Sequence, residues 1–251
     1  MELELKNKIA LVTGSSKGIG KEIASTLLDE GCKVILNGRD KKSLEKTSKS
    51  FNPPPKFIVT DVTKPLECKK LIKKIIQLYG RLDILVCNVG DGKSAAPGKE
   101  TISEWKRMFE ANLQSATNMI EASKNELSKT KGSILCISSI AGITFLGGAP
   151  IPYSVSKSAL NTYVKCSSRP LGEKNIRINA IAPGNIMFEG SIWEKKQKKN
   201  PSLVKKLLKN EVSLHRFGTP RDIANLAVFL SSPKSSFITG SIYVVDGGQI
   251  R

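Results

Sequence analysis

Seven short apolar runs recur along the chain: KIALVT (8–13), KVILNG (33–38), KFIVT (56–60), LDILVCN (82–88), GSILCIS (132–138), NIRINAI (175–181) and SIYVVD (241–246). Several are almost continuously hydrophobic, lacking the alternation of a half-exposed strand, and so predict strands buried on both faces. Between them lie stretches with apolar residues every third or fourth position, the stripe of an amphipathic helix. These are 20–31, 66–80, 102–127, 153–168 and 220–232. Strand–helix alternation along the whole length predicts an α/β fold. It is a doubly wound parallel sheet of seven strands between two helix layers, a three-layer αβα arrangement in one domain over 1–251. The crossovers should be right-handed. FNPPPK (51–56) reads as a rigid turn before the third strand. Residues 184–212 break the rhythm between the sixth and seventh strands. That connection leaves the carboxyl end of the sheet, where such folds bind ligands, so it is expected to act as a lid or substrate wall.

Composition narrows the class. The chain has 251 residues, 39% hydrophobic and 25% charged, as a globular domain does. No apolar run approaches the roughly 20 residues of a membrane span. MELELKNKIALVTG leads directly into a strand with no signal-peptide pattern, so a cytoplasmic location is expected. The five cysteines, Cys32, Cys68, Cys87, Cys136 and Cys166, are odd in number and widely spaced, and His215 is the single histidine. Neither a disulfide framework nor a metal site is expected, and the cysteines read as buried free thiols. The net charge of +18 raises nucleic acid or an anionic membrane as a partner. The excess is mostly Lys, spread along the chain, with no basic–aromatic interleaving and no groove-reading motif. The expectation is a Lys-rich solvated surface and neither of those partners.

The chemistry begins after the first strand, at TGSSKGIG (13–20), with glycines at Gly14, Gly18 and Gly20. A turn of this kind, opening a helix, lets backbone N–H groups approach a pyrophosphate at the positive end of the helix dipole. The alternative is a turn that needs glycines only for its own shape. The second strand ends NGRD (37–40). Asn37 and Gly38 stand where a carboxylate would bind ribose hydroxyls of NAD, while Arg39 follows and Lys17 lies inside the turn. Two cations favour a 2′-phosphate, so NADP(H) is expected to be preferred, with NAD(H) possible.

PYSVSK (152–157) places Tyr153 and Lys157 one helical turn apart, a pair that alone is only a shared helix face. Its order among other motifs says more. The glycine turn is followed by Asp61–Val62, CNVG (87–90), Asn112 in ANL, SSIAG (138–142), the Tyr–Lys pair, APG (182–184) and VDGG (245–248). The ordered set, covering essentially the whole chain, resembles the short-chain dehydrogenase/reductase family, and most closely its 3-oxoacyl-carrier-protein-reductase-like branch. The resemblance implies a Rossmann-type fold and an oxidoreductase acting on CH–OH groups. Tyr153 would be the general acid in carbonyl reduction or the base in alcohol oxidation. A free phenol titrates near pH 10, and the Lys157 ammonium would favour the phenolate and bind the nicotinamide ribose. Ser139 would hold the substrate oxygen, with Ser138 as its rival. Asn112 would kink its helix and hold a relay water, the alternative being an exposed polar residue.

For the cofactor, the resemblance implies contacts from the turn residues Ser16, Lys17 and Ile19 beside the three glycines. Asp61 would meet the adenine with Val62 against the ring, and Asn88 and Gly90 would flank the adenosine side. Pro183, Gly184 and Ile186 would line the nicotinamide. The chain departs from the family at Cys87 and Val89, where Asn and Ala are usual. It departs again at Phe188, where a Thr that binds the carboxamide is frequent, so another donor, Ser191 or backbone, is expected to serve. Pro170, late in the helix of Tyr153, should kink or end it and alter a face that the family uses for dimers. A homo-oligomer, tetramer or dimer, is implied.

The substrate is less determined. Seven lysines, Lys195 to Lys209, crowd the lid and could steer an acidic carrier or coenzyme ester. A solvated helix face is an equal reading. Trp193 could stack on a sugar or pack the lid. A 3-oxoacyl-thioester reductase and a sugar or polyol dehydrogenase of surface-polysaccharide metabolism both stay open. A non-catalytic nucleotide-binding protein is the remote third, disfavoured by the presence of both Tyr153 and Lys157.

Overall fold

The computed structural model describes residues 2–250. Its strands are β1 (Ile9–Val12), β2 (Lys33–Gly38), β3 (Lys56–Val59), β4 (Ile84–Cys87), β5 (Ser133–Ile137), β6 (Arg177–Pro183) and β7 (Ile242–Val245). All pair in parallel in the order β3-β2-β1-β4-β5-β6-β7. The helices are α1 (Gly18–Asp29), α2 (Lys41–Lys49), α3 (Pro65–Tyr79), α4 (Ile102–Phe109), α5 (Ser115–Thr130), α6 (Ile151–Gly172), α7 (Ile192–Lys199), α8 (Pro201–Glu211) and α9 (Pro220–Ser231). The chain is thus a Rossmann-type three-layer domain.

Strand residues alternate between two cores, as pleating requires. Leu11, Leu85, Ile134 and Ile178 face α3, α5 and α6, whereas Val12, Val86, Leu135 and Ile181 face α1 and α9. Both sets are apolar because both faces are covered, which is why the runs read as continuous. Truncating one fully buried member, such as Leu11, to Ala would cost about 2–5 kcal/mol. Winding reverses between β1 and β4, so the carboxyl ends of these neighbours part and open a crevice.

Three features refine the expectation. Residues 41–49 form α2, capped by the Asp40 carboxylate, which accepts from Ser43 N–H at 2.7 Å. The 184–212 segment is largely helical, holding α7 and α8. Pro170 does not end α6, which runs two residues further to Gly172; so late in the helix the missing N–H costs a single bond.

Candidate active site

The crevice holds a cavity of about 950 Å³ running from the glycine turn to Tyr153. At the turn end, Gly14 and Gly18 sit at φ +62 and +58, a region that favours glycine. A Cβ at Gly18 would also come 2.7 Å from the Phe188 ring, which lies against the turn from the lid side. The N-terminus of α1 has no side-chain cap and no acid in its first turn, so its N–H groups and dipole suit an anion. Ser16, Lys17 and Ile19 line this end. Asn88 braces it, its N–H donating to Thr13 Oγ1 (3.0 Å) and its Nδ2 to the carbonyls of Thr13 (3.1 Å) and Gly14 (2.9 Å).

The strand ends beyond the turn carry the adenosine-side candidates. Asn37 is buried, its Nδ2 donating to Ile58 O at 3.0 Å while its Oδ1 is unpaired. Asp40, three residues on, is committed to capping α2. Arg39 and Lys17 are exposed and both line the cavity. Burial pushes the Asp61 carboxyl up, but hydrogen bonds from Thr63, helped by the nearby Arg39 charge, outweigh it and the net shift is down. Val62 is buried beside it.

At the other end three elements converge. The helix through residues 102–130 passes through a π turn at Glu110–Gln114, with Asn112 at its centre and fully buried. Ser139 follows β5 and caps a 3₁₀ turn, its Oγ accepting from Ala141 N–H at 3.2 Å. Ser138 Oγ donates to Lys157 O at 3.4 Å, and both serines line the cavity. Tyr153 and Lys157 sit one turn apart on α6. Burial pushes the Tyr153 phenol up; the neighbouring Ser139 hydroxyl pulls the other way, and the Asp91 charge adds to the rise. Lys157 Nζ donates to Ile137 O at 2.8 Å, and burial lowers its pKa to about 8, with Cys136 opposing.

Gly90 lies at this chemical end rather than on the adenosine side. A Cβ there would come 2.9 Å from Asn112 Oδ1 and 3.2 Å from Lys157 Nζ. Pro183, Gly184 and Ile186 also line the cavity. Beside Gly184, Asn185 is buried and its Nδ2 has no partner, a donor that the sequence did not single out. Ser191 caps α7, its Oγ accepting from Glu194 N–H at 3.0 Å, while its O–H has only Met187 Sδ, at 3.8 Å, as a partner. Asp91 and Arg107 also line the cavity and went unnoticed, since neither belongs to a spaced motif. The cavity and its donor set fit a dinucleotide: an anion cradle, cations at the ribose end, and an unpaired amide donor beside the reactive end. Among the described residues, no group of three or more His, Cys, Asp or Glu side chains could hold a metal, and no helix is long and apolar enough to cross a membrane.

Comparison with known proteins bears on the arrangement. A family model described as Enoyl-(Acyl carrier protein) reductase matches residues 14–249. The 3-oxoacyl-[acyl-carrier-protein] reductase FabG of Thermotoga maritima is 31% identical, over 99% of this chain and 100% of that protein. A 7α-hydroxysteroid dehydrogenase solved with NADH and 7-oxo glycochenodeoxycholic acid superposes with TM-score 0.90 at 31% identity, covering 99% of this chain and 96% of that one. The L-sorbose reductase of Gluconobacter frateurii, solved with NADPH and L-sorbose, gives 0.93 at 27% identity over 100% and 99%.

Proposed function

The chain belongs to the short-chain dehydrogenase/reductase family, oxidoreductases of CH–OH groups that bind NAD(P)H, and from that premise we propose that it interconverts a carbonyl and a secondary alcohol with NADP(H). The carrying observation is that Tyr153, Ser139, Lys157 and Asn112 meet at one end of a cavity whose other end is an uncapped glycine turn flanked by Lys17 and Arg39. When bound, the nicotinamide supplies or accepts the hydride. In reduction the Tyr153 phenol gives its proton to the carbonyl oxygen, and in oxidation the phenolate takes it back from the hydroxyl. Ser139 holds that oxygen. The Lys157 ammonium favours the phenolate and holds the nicotinamide ribose. The widened turn at Asn112 is where a relay water is kept. The turn residues Gly14, Ser16, Lys17, Gly18, Ile19 and Gly20 cradle the pyrophosphate, and Asp61 and Val62 take the adenine. Asn185, with its unpaired donor, stands in for the Thr that Phe188 replaces and orients the carboxamide.

The substrate reading is a 3-oxoacyl thioester. It is supported by the full-length likeness to an acyl-carrier-protein reductase and by the lysines of α7 and α8, which include Lys196 on the cavity wall. A keto sugar or polyol is the second reading, favoured by Trp193 on the same wall and by the sorbose reductase neighbour. A cytoplasmic homo-oligomer completes the proposal. Its supports are five free cysteines and apolar exposure at Phe237 and at Val244 on the edge strand β7.

Steady-state kinetics with both cofactors across 3-oxoacyl thioesters, keto sugars and polyols test the reading. NADPH should exceed NADH in kcat/KM by about tenfold or more, given two charge-assisted contacts to the 2′-phosphate. Arg39→Ala should erase most of that margin. Equal or better efficiency with NADH in the unaltered protein would overturn the cofactor assignment.

A further inference from the structure

Helix α6 carries a third polar residue in line with Tyr153 and Lys157, and the mechanism above does not use it. Asn161 is buried one turn beyond Lys157, on the same side of the helix. Its Nδ2 donates to Gly142 O at 3.1 Å, while its buried Oδ1 has no partner among the described residues. Gly142 ends the 3₁₀ turn Ile140–Gly142 that Ser139 caps. The turn is closed onto Ser139: Gly142 N–H donates to Ser139 O at 3.0 Å, and Ala141 N–H to Ser139 Oγ at 3.2 Å. Gly142 also lies flat on α6, where a Cβ would come 2.6 Å from the Lys157 carbonyl carbon. Two more bonds join the end of β5 to the helix, Lys157 Nζ to Ile137 O at 2.8 Å and Ser138 Oγ to Lys157 O at 3.4 Å. Asn161 thus makes the last stitch of a seam between the Ser139 segment and α6. Beyond it Ile143, Thr144 and Phe145 are exposed, and among the described residues the next side-chain bond to the backbone comes at Pro150 O, from Ser154 Oγ at 3.1 Å. The stretch from Leu146 to Pro150 lines the cavity.

A buried amide with one half unsatisfied costs stability that an apolar side chain of the same branching would not. Packing alone gives no reason for Asn at this place; the bond to Gly142 does. We propose that Asn161 is a positioning residue for Ser139: by tying Gly142 O to α6 it fixes the turn that carries Ser139, and so holds the Ser139 hydroxyl in place relative to the Tyr153 phenol on the same helix. This rests on the reading of Ser139 and Tyr153 as the pair that holds and protonates the substrate oxygen. Two groups that must meet at one oxygen tolerate little relative drift, and a misplacement near 1 Å can cost about 10²-fold in rate. The chain between them does not supply that precision, because it runs through the exposed residues after Gly142. The seam supplies it. Without Asn161 the strand end is still held by Lys157 and Ser138, but the turn loses its outer tie, and the half-buried Gly142 carbonyl is free to turn to water. The loss then falls on the reacting geometry, not on the fold or on dinucleotide binding.

The test is a double-mutant cycle of Asn161→Leu with Ser139→Ala, reading kcat and KM for ketone reduction and the NADPH Kd. Leu keeps the branching and removes the donor and the unpaired acceptor together. In the otherwise unaltered protein this substitution should lower kcat about tenfold or more, with KM and the NADPH Kd within about threefold. In the Ser139→Ala background it should cost less than about threefold, because the residue it acts through is gone. Asn161→Asp gives a second reading at constant shape. Facing a carbonyl, its carboxyl donates only while protonated, so its kcat relative to the unaltered protein should fall as pH rises through the carboxyl pKa. With Ser139→Ala added, that pH course should vanish. A residue that merely supports the fold would give the same loss whether or not Ser139 is present. Unchanged kcat in Asn161→Leu, or a loss that persists in full beside Ser139→Ala, overturns the proposal. Should Asn161→Leu fail to fold, Asn161→Asp still decides, since a flat relative kcat across pH, or a fall that survives Ser139→Ala, overturns it equally. Full turnover by Ser139→Ala alone would instead sink the underlying reading of Ser139.

Discussion

Lys157 is the residue on which burial and function pull hardest against each other. It is 3% exposed, and one hydrogen bond, to Ile137 O, satisfies one of its three donors. Burial brings its pKa from the usual 10.5 down to about 8. An unfolded chain keeps the proton to about pH 10.4, the folded one only to about 8, so between these values unfolding takes up a proton. Stability contributed by this group therefore rises with pH through that window. Lys157→Met lacks the term. The unfolding free energy of the unaltered protein, measured in urea, should gain on that variant by up to about 1.4 kcal/mol per pH unit between pH 8 and 10. A difference that stays flat with pH would contradict the assignment. At this scale the sequence was uneven. Tyr153, Lys157, Ser139 and Asn112 were legible from motif order, because each sits at a fixed place relative to a strand end or helix turn. Asp91, Arg107 and Asn185 were not. The first two acquire meaning only by meeting across 16 residues, and Asn185 only by lacking a partner once buried.

Among the elements, the lid shows how composition can mask structure. Its lysine density drew attention to charge, yet the capping chemistry of two helices was present. Ser191 stands three residues before Glu194, and Asn200 precedes Pro201; both side chains cap as such pairs do. Helix α2 was hidden for the opposite reason, as Leu44 is its sole buried apolar residue. The kink at Asn112 was anticipated as a disturbance of helical bonding and takes the form of a π turn. Where the lid begins, Phe188 packs on Gly18, so the lid and the glycine turn act as one unit. Gly18→Ala places a Cβ into that ring and forces a non-glycine residue into the left-handed region, at about 1–2 kcal/mol for the backbone alone. NADPH affinity, read by fluorescence titration, should fall about tenfold or more. Adding Phe188→Ala should restore the steric part of that loss and not the backbone part. Unchanged affinity in Gly18→Ala would separate the lid from the turn.

For the molecule as a whole, the seven strands and the parallel doubly wound sheet were readable because burial on both faces writes unbroken apolar runs into the chain. Strand order then follows from right-handed crossovers and a single reversal, and that reversal places the cavity between β1 and β4. The charge of +18 is the excess of 40 Lys and Arg over 22 Asp and Glu; helix-face pairs such as Lys70–Glu67 and Lys198–Glu194 add nothing to it and are worth little to stability. The whole architecture serves one convergence, a dinucleotide cradle at one end and a phenol at the other. Tyr153→Phe tests it most directly, with ketone-dependent NADPH oxidation and NADPH binding measured on the same preparation. Removing only the proton donor should cut turnover by about 10²–10⁴-fold and leave the NADPH Kd within about threefold; turnover close to that of the unaltered protein would contradict the account.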